Sequence, residues 1–219
     1  YTTTGTFATT GVLTVTGTTL TNNGTITSGG ALGGTGELIN SAGNTLNMNS
    51  TVTITTLTAN ADPNTVTYTG AAQTIKPTTY HHLATSGSGI KTLGGNVIIN
   101  GDLTVGTGTT LLTSTFTTDR STPGGTLTVN GTLSVATTFP ANFNTHNLTS
   151  GTVTYSAGGD QTVAATSYGI LTTSGSGTKT LAGPTTTTGA LTIGAGTTLD
   201  VSASNYSISV GGNWTATGT

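Results

Sequence analysis

The chain has 219 residues, a net charge of −2 and only 5% charged side chains, where ordinary domains carry about 25%. So little charge excludes a basic nucleic-acid surface, which needs clustered Lys and Arg. The lack of cysteine excludes disulfide scaffolds and thiolate metal sites, and no apolar run approaches the ~20 residues that span a bilayer.

Roughly sixty threonines and 34 glycines dominate what remains. Thr is β-branched and favours strands, while Gly and Asn favour tight corners. In order along the chain, GVLTVTGTTL (Gly11 to Leu20) alternates, with Leu13, Val15 and Leu20 on one side and Thr14 and Thr16 on the other. That period of two is the mark of a half-buried strand. Asn22-Asn23-Gly24 reads as a corner before a short strand, Thr25-Ile26-Thr27. Ser28 to Gly36 reads as a wide glycine-rich turn. Alternation resumes at Glu37 to Ile39, at Thr45 to Met48, and at Thr51 to Thr58, where Val52 and Ile54 share a face. Asn60 to Asn64 is a break.

The stretch from Val66 to Leu111 then returns from Val153 to Leu199. Tyr68 recurs 87 residues later as Tyr155, and Leu111 recurs 88 later as Leu199. VTY, QT, SGSG, KTL and GTTL are common to both copies, and Gly11 to Leu20 is a third, shorter copy. Val66, Ile75, Leu83, Leu93, Val97, Ile99, Leu103, Val105 and Leu111 form the expected core of the first copy. Asn100-Gly101 and Asn130-Gly131 are expected corners, with positive φ at Gly101 or Gly131. Leu103, Val105, Leu191 and Ile193 are expected to point inward from equivalent strands. Leu112 to Gly125 reads as a protruding loop and Phe139 to Phe143 as a second irregular stretch.

An internal repeat built from short strands implies stacked units. The expected fold is all-β, a parallel β-solenoid of about ten short coils, with the long repeat divided into about four turns of ~22 residues. It is read as one domain over residues 1–219. Asn-Gly corners also signal hairpins, so repeated β-sandwiches are the alternative. No segment has a helical period with caps.

The segments GTVTYSAGGDQTV, SGSGTKTL, GALTIGAGTTLDV and YSISVGGNWT resemble the Thr/Gly-rich repeats of large secreted bacterial surface proteins, which are adhesin-like or fibre-forming. The resemblance covers most of Val66 to Thr219 and the piece Gly11 to Leu20. It implies a β-solenoid at the cell surface and carries no catalytic residues. No signal peptide is visible at Tyr1, so the numbering is expected to start at a mature end.

Chemistry-bearing residues are few. Asp62, Asp102, Asp119, Asp160, Asp200 and Glu37 are scattered singly beside corners, whereas glycoside chemistry needs paired carboxylates. His81 and His82 are adjacent, so a strand would send them to opposite faces, and with His146 they make no expected metal site. SGSG lacks the helix of a nucleophile elbow and reads as a turn. Lys91 and Lys179 occupy equivalent places in KTL and are expected to pair with Asn or Asp of a neighbouring coil.

The expectation is therefore a structural extracellular protein without enzymatic activity or cofactor. It would be a filament subunit or adhesin-type module stacking head to tail, with itself and surface glycans as partners. The expected subunit contacts are Tyr1, Thr2, Phe7, Val12, Val210, Trp214 and Thr219. A Thr-rich face that binds ice or another flat surface is the alternative, resting on T-x-T motifs such as Thr25-Ile26-Thr27, Thr65-Val66-Thr67 and Thr126-Leu127-Thr128. A carbohydrate-active β-helix enzyme ranks last.

Overall fold

The computed structural model describes residues 1–218; Thr219, the last of the expected contact residues, lies outside them. The described residues contain strands and no helix. Every strand pairing among them is parallel, which excludes the hairpins of a sandwich. The chain winds into a parallel β-solenoid of about 11 turns, one more than expected. At ~4.8 Å per coil the stack is roughly 50 Å long.

Each coil has three faces. Face I carries, among others, Thr65–Tyr68, His82–Thr85, Leu103–Val105 and Gly124–Val129 in one sheet. Face II carries Gln73–Ile75, Gly89–Leu93, Thr109–Leu112, Thr132–Val135, Thr152–Tyr155, Ile170–Thr173, Leu191–Ile193 and Trp214–Ala216. Face III carries Thr79–Tyr80, Val97–Ile99 and Thr118–Asp119 and, in later coils, Gln161–Val163, Gly177–Leu181 and Thr197–Asp200. The core fills the centre because alternate residues of each strand point in. Leu103 and Val105 are fully buried and Thr104 faces out. All nine expected core residues of the first repeat are buried.

The two long repeats occupy different faces. Thr65–Tyr68 lies on face I, whereas its counterpart Thr152–Tyr155 lies on face II; Leu103–Val105 and Leu191–Ile193 differ in the same way. The repeat therefore covers four turns plus one face, at about 20 residues per turn. The two strands are equivalent in local structure, as the inward Leu191 and Ile193 confirm, but not in position around the axis.

Several segments depart from the sequence reading. Asn22-Asn23-Gly24 does not break the strand, which runs unbroken over Thr19–Ser28. The Asn22 side chain turns inward instead, donating to Asn40 Oδ1 (2.7 Å) and Thr45 O (2.8 Å), so buried amides replace the turn. The glycine-rich Ser28 to Gly36 contains a core strand, Leu32–Gly33, paired with Leu13–Thr14. Leu112 to Gly125 does not protrude. Thr118–Asp119 pairs with Val97–Ile98, and Arg120 folds back to donate to the carbonyls of Thr122 and Gly101. Asn100-Gly101 and Asn130-Gly131 are corners, but neither glycine has positive φ. Their requirement is close approach. A Cβ on Gly131 would sit 2.3 Å from both Gly106 O and Thr109 O of the coil beneath.

Polar groups inside the core repeat with the sequence. Tyr68 and Tyr80 share a hydrogen bond of 2.9 Å, and the Tyr80 hydroxyl donates to Lys76 O. Tyr155 and Tyr168 do the same, with Ala164 O as acceptor. Burial pushes Tyr68 and Tyr155 up to about 12.

Candidate functional site

The ends of the solenoid hold the expected contact residues. At the N-terminal end, Thr2–Thr9 spans faces III and I and bonds on one side only, to Thr21–Ser28. Its inward positions are set by register: Phe7 lies over the buried Ile26 and Thr3 over the buried Asn22. Leu13 continues the first coil on face II, over Leu32. With no coil beneath, Tyr1 is 87% and Phe7 39% exposed. Tyr1, Phe7, Leu13, Val15 and Leu20 surround an open concavity of about 410 Å³. Thr2 is exposed on the outer side, and Val12 is exposed at the corner before Leu13.

The C-terminal end mirrors this. Its last coil consists of Thr197–Asp200 on face III, Ile208–Val210 on face I and Trp214–Ala216 on face II. Leu199, Ile208 and Val210 are half-buried against the core. Trp214 sits over the buried Leu191 and is 57% exposed. The first and last described coils thus each turn apolar side chains, Tyr1 and Phe7 on one and Trp214 on the other, partly toward solvent. Of the expected contact residues, the six described ones are not brought into one site: Tyr1, Thr2, Phe7 and Val12 lie on the N-terminal coil, where only Tyr1 and Phe7 border the concavity, and Val210 and Trp214 lie on the C-terminal coil.

Four of the six carboxylates accept from the backbone: Asp102 from Thr126 N, Asp119 from Ala141 N, Asp160 from Thr178 N and Asp200 from Ser202 N. Glu37 accepts from the Thr58 hydroxyl, and Asp62 faces His81. The histidines differ from expectation. His81 sits at the corner before the strand His82–Thr85, so both rings fall on the same corner, edge to face with centroids 4.3 Å apart. His81 Nε2 lies 3.2 Å from Asp62, and His82 Nδ1 accepts from Asp102 N at 2.9 Å. Burial, reinforced by His81, holds the His82 pKa below its ordinary value despite Asp102. Among the described residues no group of three or more His, Cys, Asp or Glu is arranged to hold a metal ion.

Lys91 and Lys179 pair with neither Asn nor Asp. Both are fully buried, and each ammonium donates to three backbone carbonyls: Gly70, Ala71 and Ser88 for Lys91, and Ala157, Gly159 and Ser176 for Lys179. Burial lowers both pKa values. The alternation gave a signal for this, since Lys91 lies two residues before the inward Leu93 and so on the core side of its strand.

The sides of the rod are polar and almost uncharged. On face I the outward Thr25, Thr45 and Thr65 stack in register, beside Thr27, Asn47 and Thr67. The stack then meets His82 and Ala84. On face II, Thr110, Thr132 and Thr152 form one outward column, ended by Ile170. Where residues 136–142 leave face III without a strand, a groove of about 670 Å³ opens beside Phe139 and Pro140. No protein-family model, curated protein or solved structure matches the chain.

Proposed function

We propose that this chain is a structural protein of the bacterial cell surface, a rigid rod whose end coils take on further coils from other copies. The observation that carries the reading is the stack itself, about 11 coils whose strands pair in parallel around one continuous apolar core, so that each coil is the template for the next. The coat of neutral Thr, Ser and Asn supports an extracellular rod, because little of its surface depends on ionisation or salt. The composition and motifs of secreted surface repeats support the location. Uncharged hydroxyl-lined sides suit extracellular glycans as lateral contacts, by hydrogen bonding. Asp102, Asp119, Asp160 and Asp200 each accept from backbone N–H groups, which gives no support to glycoside chemistry.

The test is direct imaging of the purified chain by negative-stain microscopy over a concentration series. Rods longer than one solenoid, with a unit width, support the proposal. Removing residues 209–219, which takes away the strand at Trp214, should abolish the longer rods while leaving a folded single solenoid. A monodisperse particle at every concentration would reject it.

The flat-surface alternative draws its support from the stacked Thr25, Thr45 and Thr65. It is weaker because another T-x-T motif, Thr152-Val153-Thr154, lies on face II and the face I stack is broken by His82 and Ala84. Thermal hysteresis at high protein concentration would favour it.

A further inference from the structure

We infer that Asn23, Asn49, Asn130 and Asn147 are glycosylation sites, each carrying a sugar on its side-chain amide. The inference goes beyond the proposed function and does not depend on how copies associate. Six of the sixteen asparagines stand in the acceptor pattern Asn-x-Ser/Thr: these four, with Asn205 and Asn213 in the last described coil. In a chain so rich in Thr the pattern alone decides nothing, but the fold divides the asparagines by it. All six are exposed, and among the described residues their side chains form no hydrogen bond. Eight of the other ten use theirs to bind the backbone or another side chain. Asn22, Asn40 and Asn64 are buried, where a sugar would break the core, and none of them has the pattern. In Asn64-Thr65-Val66 the hydroxyl comes one place too early. The acceptor hydroxyls of Thr25, Thr51, Thr132 and Thr149 are also off the core and form no hydrogen bond among the described residues.

Three of the four sites line one edge of the rod, where face I turns into face II. Asn49 follows Met48 and Asn130 follows Val129, and Met48 and Val129 stand in one column with Tyr68, Thr85 and Val105 between them. Four steps of ~4.8 Å set the two sites about 19 Å apart along the axis. Asn147 ends the strand Phe143–Asn147 on the coil after Asn130, in register with Thr128. Asn23 lies on the edge between faces III and I, in register with Thr4. Each of the four has a coil on either side, so its exposure belongs to the flank of the rod. With only 5% charged side chains and a net charge of −2, that flank has little to hold water or keep rods apart, and edge-linked sugars supply both.

The step needs a transferring enzyme and a sugar activated as its diphosphate. The Asn Nδ2 bonds to C1 of the sugar, and the C1–O bond to the diphosphate breaks. The diphosphate leaves with that electron pair, and Nδ2 gives up one proton to a base of the enzyme. The test is peptide mapping by mass spectrometry of the protein isolated from its own cells, after digestion with a broad-specificity protease. Peptides holding Asn23, Asn49, Asn130 and Asn147 should carry hexose or N-acetylhexosamine increments, and those holding Asn40 and Asn64 should not. Thr132→Ala, expressed in the same cells, should empty Asn130, and Thr132→Ser should restore the sugar. Bare asparagine at all four positions would overturn the proposal even where long rods form. So would sugars on Thr or Ser hydroxyls with the amides bare, or a sugar on Asn130 that survives Thr132→Ala.

Discussion

Lys91 lies in register over Gln73, and the two side chains together hold five backbone carbonyls at the corners of successive coils. Lys179 over Gln161 repeats the arrangement one face further round. Met48 O, Val135 O and Ala157 O also accept a backbone N–H from the next coil, whereas the carbonyls of Gly70, Ala71 and Ser88 face the Lys91 ammonium. The long lysine stem crosses the core and delivers three donors to one point. Lys91→Met keeps the stem and removes the donors, leaving the carbonyls of Gly70, Ala71 and Ser88 bare. The expected loss is about 2–4 kcal/mol, read as a lower denaturant midpoint. Lys179→Met should lose a similar amount. No loss in either variant would show that water serves the corners equally well.

Val105 is fully buried in the column formed by Thr85, Val105 and Val129. Val105→Asp places an unpaired carboxylate there, and the expected cost exceeds about 4 kcal/mol. Circular dichroism should show loss of strand signal or a far lower melting temperature. Val105→Ala should cost less, about 1–3 kcal/mol, through the cavity alone.

Gly131→Ala and Gly158→Ala separate close packing from glycine's backbone freedom. A Cβ at position 131 would collide with two carbonyl oxygens, while one at 158 meets nothing within 4 Å. Neither glycine has positive φ. Gly131→Ala should therefore lower the melting temperature clearly and Gly158→Ala should leave it nearly unchanged. Equal effects would place the requirement in backbone entropy instead.

Acid should weaken the fold through His82 and His146, whose pKa values are both held down mainly by burial. The folded chain then binds fewer protons than the unfolded chain below pH ~6.5. Their contribution is complete above that pH and is lost as pH falls toward the lower folded values. Urea midpoints should thus drop between pH 7 and pH 5. The double variant His82→Gln, His146→Gln should flatten that slope, whatever its effect on absolute stability. An unchanged slope would show that these two histidines do not carry the acid sensitivity.

Much of the architecture was legible because strand alternation is local. Leu103-Thr104-Val105 reveals its inward side from three residues, and the recurrence of VTY, KTL and GTTL reveals stacking. What escaped depended on the neighbouring coil. Asn22-Asn23-Gly24 has the composition of a turn, yet Asn40 and Thr45 one coil on keep it in a strand. Thr118–Asp119 looks like loop until Val97 and Ile98 lie beside it. His81 and His82 share a corner because the chain turns at His81, which adjacency alone does not reveal. Leu13 and Leu20 at the N-terminal coil and Leu199 and Ile208 at the C-terminal coil were not singled out as end residues, because their place in the first and last coils follows only from the winding.

The mismatch between repeat length and winding has a consequence for lengthening such a rod. Duplicating the 87-residue unit does not extend a stripe; it sets the same side chains down a third of the way round the circumference. Three tandem copies would return to the starting side, after thirteen turns of about 20 residues. Successive copies would therefore trace a spiral staircase of identical patches. A rod grown this way is approachable from every side, whereas one grown by single coils would keep one chemistry facing one direction.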